Sequence, residues 1–216
     1  MLMEESVAGG GLIDGVADWL VSEALDKTTV ETLLRGCCDR LSASGIPLLR
    51  VALAFPTLHP LFSAVSHVWQ RESADIRREE HRHGTDTSPE WKRSPFFHMQ
   101  QVSVPFLRRR LTGPDAVLDF PVLEDLLALG ATDYLAYLVG FGGDVNDNGP
   151  RDGIIVSWTT DRTGGFTNND IQALMRIQRR LAVACKVTIR EEVTRNILAT
   201  YLGPDAGWRV LDGNIQ

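Results

Sequence analysis

The sequence predicts an α+β fold: a mostly antiparallel central sheet flanked by helices, with a long C-terminal helix. Three observations carry this. Strand-like segments stand beside one another along the chain instead of alternating with helices, which is the order of antiparallel pairing. Two helical apolar patterns precede the first strand. A third, from Thr167 to about Leu202, is longer than a globular domain normally needs.

The elements follow in order. Residues 1–11, ending in Gly9-Gly10-Gly11, read as a loose tail without the preceding strand that a phosphate-binding loop requires. Ile13, Val16, Ala17, Leu20, Val21 and Ala24 keep helical spacing from Leu12 onward. Thr28 with Glu31 forms a capping-box pattern for a second helix, whose apolar face is Val30, Leu33, Leu34, Cys37, Cys38 and Leu41. Leu49–Leu58 and Ala64–Arg71 read as two strands, and Glu72–Thr87 as a charged loop too polar to pack. Ser88-Pro89-Glu90 starts a middle helix that Pro95 interrupts, and Val102–Leu111 is a half-exposed strand. Pro121–Leu129 is a short helix closed by Gly130. Tyr134–Phe141 and Ile154–Thr160 form a hairpin around a Gly, Asp and Asn loop. Thr167 with Asp170 caps the last helix, and Gly203-Pro204 stops it.

Composition narrows the function. Lys and Arg number 22 against 28 Asp and Glu, a net charge of −6, which argues against nucleic acid as the main partner. Val51–Gln70 lacks charged residues, but Pro56 and Pro60 divide it, so no membrane insertion is expected. No basic, apolar leader pattern opens the chain, and three cysteines make no disulfide framework. A cytoplasmic setting is the expectation.

No catalytic motif can be assembled. Asp144-Val145-Asn146-Asp147-Asn148-Gly149 matches the start of a calcium loop, yet the twelfth position is Ile155 where a bidentate Glu is needed. His81, His83 and His98 are the residues that could ligate a metal, but one His-x-His in a charged loop with no nearby Cys points to a solvated loop, so no metal is expected. Of Arg108, Arg109 and Arg110, at most two can share a strand face, and a solvated edge is the simpler reading. Trp69, Phe97, Phe106, Tyr134, Tyr137 and Trp158 are the candidates to line a ligand cavity between the sheet and the middle helix; the alternative is that they fill the core.

The element order and the run Gly164-Gly165-Phe166-Thr167-Asn168-Asn169-Asp170-Ile171-Gln172-Ala173-Leu174 resemble the GAF domain, a sensor module with a central antiparallel sheet. More narrowly, the chain resembles the N-terminal regulatory region of bacterial class III adenylate/guanylate cyclases. Leu58-His59-Pro60-Leu61-Phe62 with Trp69, Asp119-Phe120-Pro121 and Gly130-Ala131-Thr132-Asp133-Tyr134 carry that likeness, with Tyr201–Gly207 and Val210–Gly213 at the junction.

The resemblance implies a GAF-like sensor domain over residues 12–186 and a helical stalk and junction over 187–216, leading to a covalently linked cyclase domain beginning about where this sequence ends. This chain is then a non-catalytic regulator of conversion of ATP to cyclic AMP. It has no cofactor of its own and an unknown small-molecule ligand. Cys37, Cys38 and Cys185 do not stand where a bilin would attach. A homodimer through the terminal helices is implied, with Ile189, Val193, Ile197 and Tyr201 along the stalk. The alternative is a dimerisation or protein-interaction module with a filled core and no small-molecule ligand.

Overall fold

The computed structural model describes residues 4–57, 61–73, 75–85, 88–142 and 153–202, of which 4–10, 195–197 and 199–202 by backbone alone. Its elements are α1 (Glu4–Glu23), α2 (Val30–Ala43), β1 (Arg50–Pro56), β2 (Phe62–Gln70), β3 (Arg77–Arg82), α3 (Pro89–Lys92), α4 (Pro95–Gln101), β4 (Phe106–Arg110), α5 (Pro121–Ala128), β5 (Asp133–Gly140), β6 (Gly153–Thr160) and α6 (Asn168–Leu202). The strands form one six-stranded sheet in the order β3-β2-β1-β6-β5-β4, with every neighbouring pair antiparallel. This is the predicted α+β architecture.

Three local expectations need correction, and a fourth holds. Helix α1 begins at Glu4, so the expected loose tail is helical from that point. Once the turns from Ile13 to Leu20 are packed, each further helical residue adds a hydrogen bond without a new nucleation cost, and this offsets the glycine penalty. Helix α2 is capped by Thr29, whose side chain accepts from the Thr32 N–H, and not by Thr28. The charged segment Glu72–Thr87 contains an edge strand, β3, whose outward charges suit a sheet border. As expected, Pro95 interrupts the middle helix: it is two short helices, each begun by a serine cap and a proline, because Pro95 cannot donate the hydrogen bond that would continue α3.

The sheet register sorts side chains onto two faces. One face is covered by α1, α2 and α6. Val51, Leu53, Phe55, Val65, Trp69, Leu135, Tyr137, Val156 and Trp158 meet Leu20, Leu33, Leu34, Leu174, Ile177 and Leu181 there in the larger core. Helices α1 and α2 approach so closely that a methyl group on Gly36 would lie 2.2 Å from the Trp19 ring. On the opposite face, α4 packs on β4 and β5, and Met99, Leu107, Phe120, Leu123, Leu126, Tyr134 and Ala136 form a smaller core.

The capping box predicted for α6 is present. Asp170 N–H donates to Thr167 Oγ1 at 3.2 Å, and Thr167 N–H donates to Asp170 Oδ2 at 2.8 Å. The helix runs 35 residues, and its inner half is held against the sheet by Leu174, Ile177, Leu181, Cys185 and Ile189.

Candidate functional site

The three consecutive arginines of β4 are not a solvated edge. Strand alternation sends Arg108 and Arg110 to the α6 face and Arg109 to the other. Arg108 Nη2 donates to Asp133 Oδ2 at 2.6 Å and to the Phe166 carbonyl at 2.8 Å. Asp133 is fully buried, and its carboxylate also accepts from the backbone N–H groups of Phe166 and Tyr134, each at 3.0 Å. Arg110 donates to the Gly164 carbonyl. Gly165 has φ +74°, and a side chain there would strike Asp133. This hub joins β4 and β5 to the turn that launches α6. On the other face, Arg109 forks onto Asp119 at 2.8 to 3.0 Å and lies over the Phe120 ring.

The six aromatic candidates do not surround one cavity. Trp69, Phe106, Tyr137 and Trp158 project to the α6 face, whereas Tyr134 projects to the other. Trp69, Tyr137 and Trp158 are core residues, with the Tyr137 hydroxyl and Trp158 indole N–H buried without a partner among the described residues. Phe106 packs its ring 4.9 Å from that of Tyr137 and is partly exposed. Phe97 lines a cleft of about 340 Å³ with Lys92, Arg93, His98, Asp119 and Phe120. Ile189 and Val193 pack against the larger core, while Ile197 and Tyr201 lie where only the backbone is described.

The face opposite α6 has a feature that hydrophobic patterning does not reveal. Its central strands present Ala52 and Ala54 of β1, Ala64, Ser66 and Val68 of β2, and Ile155 and Ser157 of β6. The alanines and Ser66 form a shallow floor bordered by Val68 and Ile155; Ala52, Ala54, Ala64 and Ser66 are only half-buried because the distal helices cover β4 and β5 instead, while Ser157 and Val68 are buried. Polar groups border it. Ser66 Oγ lies 2.9 Å from His81 Nε2, and Tyr134 is hydrogen-bonded to Ser157. Burial pushes the Tyr134 phenol well above its ordinary pKa, so it remains a neutral hydroxyl. Arg50 stands at one end of this floor, in register with Gln70 and Thr159. Such a surface accommodates a flat or small ligand close to the backbone.

Other candidates separate from it. His81 faces this floor, whereas His98 packs against Phe120, and no three His, Cys, Asp or Glu side chains among the described residues are grouped to hold a metal. Cys37, Cys38 and Cys185 are buried thiols whose pKa values are raised by desolvation, that of Cys185 to about 12. The calcium-like run Asp144–Gly149 lies outside the described residues. No described helix is long and apolar enough to cross a membrane.

No protein-family model matches the chain, and no curated protein matches it. Solved structures do. The phycoerythrobilin-bound GAF domain of a cyanobacterial phytochrome superposes with a TM-score of 0.53 at 13% identity, covering 85% of this chain and 99% of that one. The fold is GAF-like. The GAF domain of a Bacillus halodurans two-component sensor histidine kinase aligns at 14% identity and a TM-score of 0.41, over 69% of this chain and 90% of that domain. The LuxR-family factor CepR2 of Burkholderia cenocepacia, which is dependent on N-acylhomoserine lactone, aligns at 10% identity and a TM-score of 0.44, over 83% and 96%. At these identities the GAF likeness speaks to architecture. What this GAF-like domain does rests on its own residues.

Proposed function

We propose that this GAF-like domain is a regulatory sensor that takes a small molecule on the sheet face opposite α6. The observation that carries the reading is the half-open floor of Ala52, Ala54, Ala64 and Ser66 on the central strands, bordered by Val68 and Ile155. The same strands, β1 and β6, present Val51, Leu53, Val156 and Trp158 to the helices on their reverse. A ligand that draws these strands into a slightly different twist therefore acts on the packing of α6. Output follows from its differential affinity for the two arrangements.

The regulated activity in this proposal is a class III adenylate cyclase linked through α6, producing cyclic AMP from ATP. Its support is the sequence resemblance at Trp69, Asp119-Phe120-Pro121 and Gly130–Tyr134, with a terminal helix that continues to Leu202. A thermal-shift screen with cyclic nucleotides and small metabolites tests the sensor, since a ligand of the native state raises its melting temperature. No shift with any compound overturns it. The gene tests the linkage: two metal-binding aspartates encoded beyond residue 216 support it, and an immediate stop codon overturns it.

A second reading, a dimerisation or interaction module, draws on a different feature. Met175, Val183 and Val187 are apolar side chains exposed on α6. In this reading the filled aromatic core is the stable support for a helical contact surface.

A further inference from the structure

Arg50 differs from the other arginines of the sheet. Arg77 and Arg78 pair with Glu79 and Glu80, and Arg108, Arg109 and Arg110 are held at Asp133, Asp119 and the Gly164 carbonyl. Arg82 has no side-chain partner among the described residues, but it is exposed to water. Arg50 is half-buried on the first residue of a central strand, and among the described residues its guanidinium makes no hydrogen bond or ion pair.

A guanidinium withdrawn from water without a partner is costly, and its N–H fork matches a carboxylate or phosphate. Its electrostatic surroundings do not supply a counter-ion. Burial and the like charge of Arg77 lower the pKa of Arg50 and outweigh the weaker influences of Tyr134, a neutral phenol, and Glu79. Glu79 is itself engaged by Arg77 at 2.8 Å. Beside Arg50 on the same face lies half-buried Ala52, small enough to let a planar group approach the sheet between buried Val68 on β2 and buried Ser157 on β6.

We propose that Arg50 anchors the anionic group of the ligand, a carboxylate or a phosphate monoester, while the ligand's apolar body lies over the Ala52, Ala54 and Ser66 floor. This deepens the sensor reading and rests on it. It assigns the ligand a charge and a polarity along the floor: anion at the Arg50 end, near Gln70 and Thr159, and neutral body toward Ala54 and Ser66.

Isothermal titration of the full chain with benzoate, phenyl phosphate and uncharged benzamide tests this. Benzoate or phenyl phosphate binds, benzamide binds at least about tenfold more weakly, and Arg50→Gln removes that difference, as expected for a lost charge-assisted pair. Whichever anion binds more tightly identifies the carboxylate or phosphate source. Arg82→Gln leaves binding unchanged. Arg50→Met provides a readout without ligand, because replacing an unpaired half-buried charge by an apolar side chain raises the melting temperature. Equal binding of benzoate and benzamide overturns the anion assignment while sparing the sensor. Unchanged anion affinity in Arg50→Gln does the same, and failure of all three probes together with the wider screen overturns both.

Discussion

The carboxylate of Glu31, in the first turn of α2, lies 2.8 Å from His67 Nε2 on the buried face of β2. Phe55 stacks on the imidazole, and His67 is almost wholly removed from water. The Thr28–Glu31 pair expected as a capping box is thus divided: Thr29 caps the helix, and Glu31 pins the helix to the sheet.

This pair makes stability depend on acid. The hydrogen bond from His67 holds the Glu31 pKa down to about 2, well below the usual carboxylate range. A depressed carboxylate stabilises the fold fully above its unfolded pKa and loses that contribution as pH falls through the folded one. Urea midpoints of wild type and Glu31→Gln should therefore differ at pH 7 and converge between about pH 4.5 and pH 2. An equal gap at both extremes contradicts the assignment.

Removing the charge at Asp133 should be severe. Asp133→Asn leaves Arg108 facing a neutral amide in a buried site, and breaking such a pair costs about 3–5 kcal/mol. Denaturant unfolding measures the loss. The hydrogen bond to Phe166 N–H ties this residue to the start of α6, so amide exchange should accelerate first at Phe166 and in the first turn of α6.

Gly36→Ala tests the contact between the first two helices. A Cβ there would lie 2.2 Å from the Trp19 ring, which must move; overpacking of this kind costs about 1–3 kcal/mol, partly offset by the gain of about 1 kcal/mol for alanine over glycine inside a helix. The Trp19 ring also carries the Arg40 guanidinium 3.9 Å from its centroid. The variant should shift tryptophan emission as well as lower the unfolding midpoint. A stabilised variant with unchanged tryptophan emission contradicts close packing at this crossing.

The proposed homodimer through α6 is measured by light scattering. At protein concentrations on the order of tens of micromolar, wild type should have a dimeric mass and Val183→Glu with Val187→Glu a monomeric one, because a charged pair cannot be buried there unpaired. Both residues are exposed in the monomer, so its own stability should not change. A monomeric wild type excludes this assembly.

Much of the architecture is legible from local pattern. Leu33, Leu34, Cys37 and Leu41 recur at helical spacing and are all buried, and Thr167 and Asp170 cap α6 through their own side chains. Strand β3 escapes such reading because an edge strand needs backbone partners, not a buried side-chain face, and Arg77–Arg82 is almost wholly exposed. The aromatic candidates escape for another reason. Strand β5 is apolar on both faces, so nothing in its sequence says that Tyr137 enters the larger core and Tyr134 the smaller one.

The amino-acid order by itself determined the antiparallel α+β class, the entry into α6 and the absence of a recognisable catalytic motif, since these depend on residues near one another in the chain. Only tertiary structure decided which partners the arginines acquire. Arg50 and Arg108 carry the same charge on strands of the same sheet. Pairing register places Arg108 on the face shared with buried Asp133, and leaves Arg50 half-buried on a floor of small side chains without a counter-ion among the described residues. That difference arises from non-local contacts, which no single segment of sequence contains.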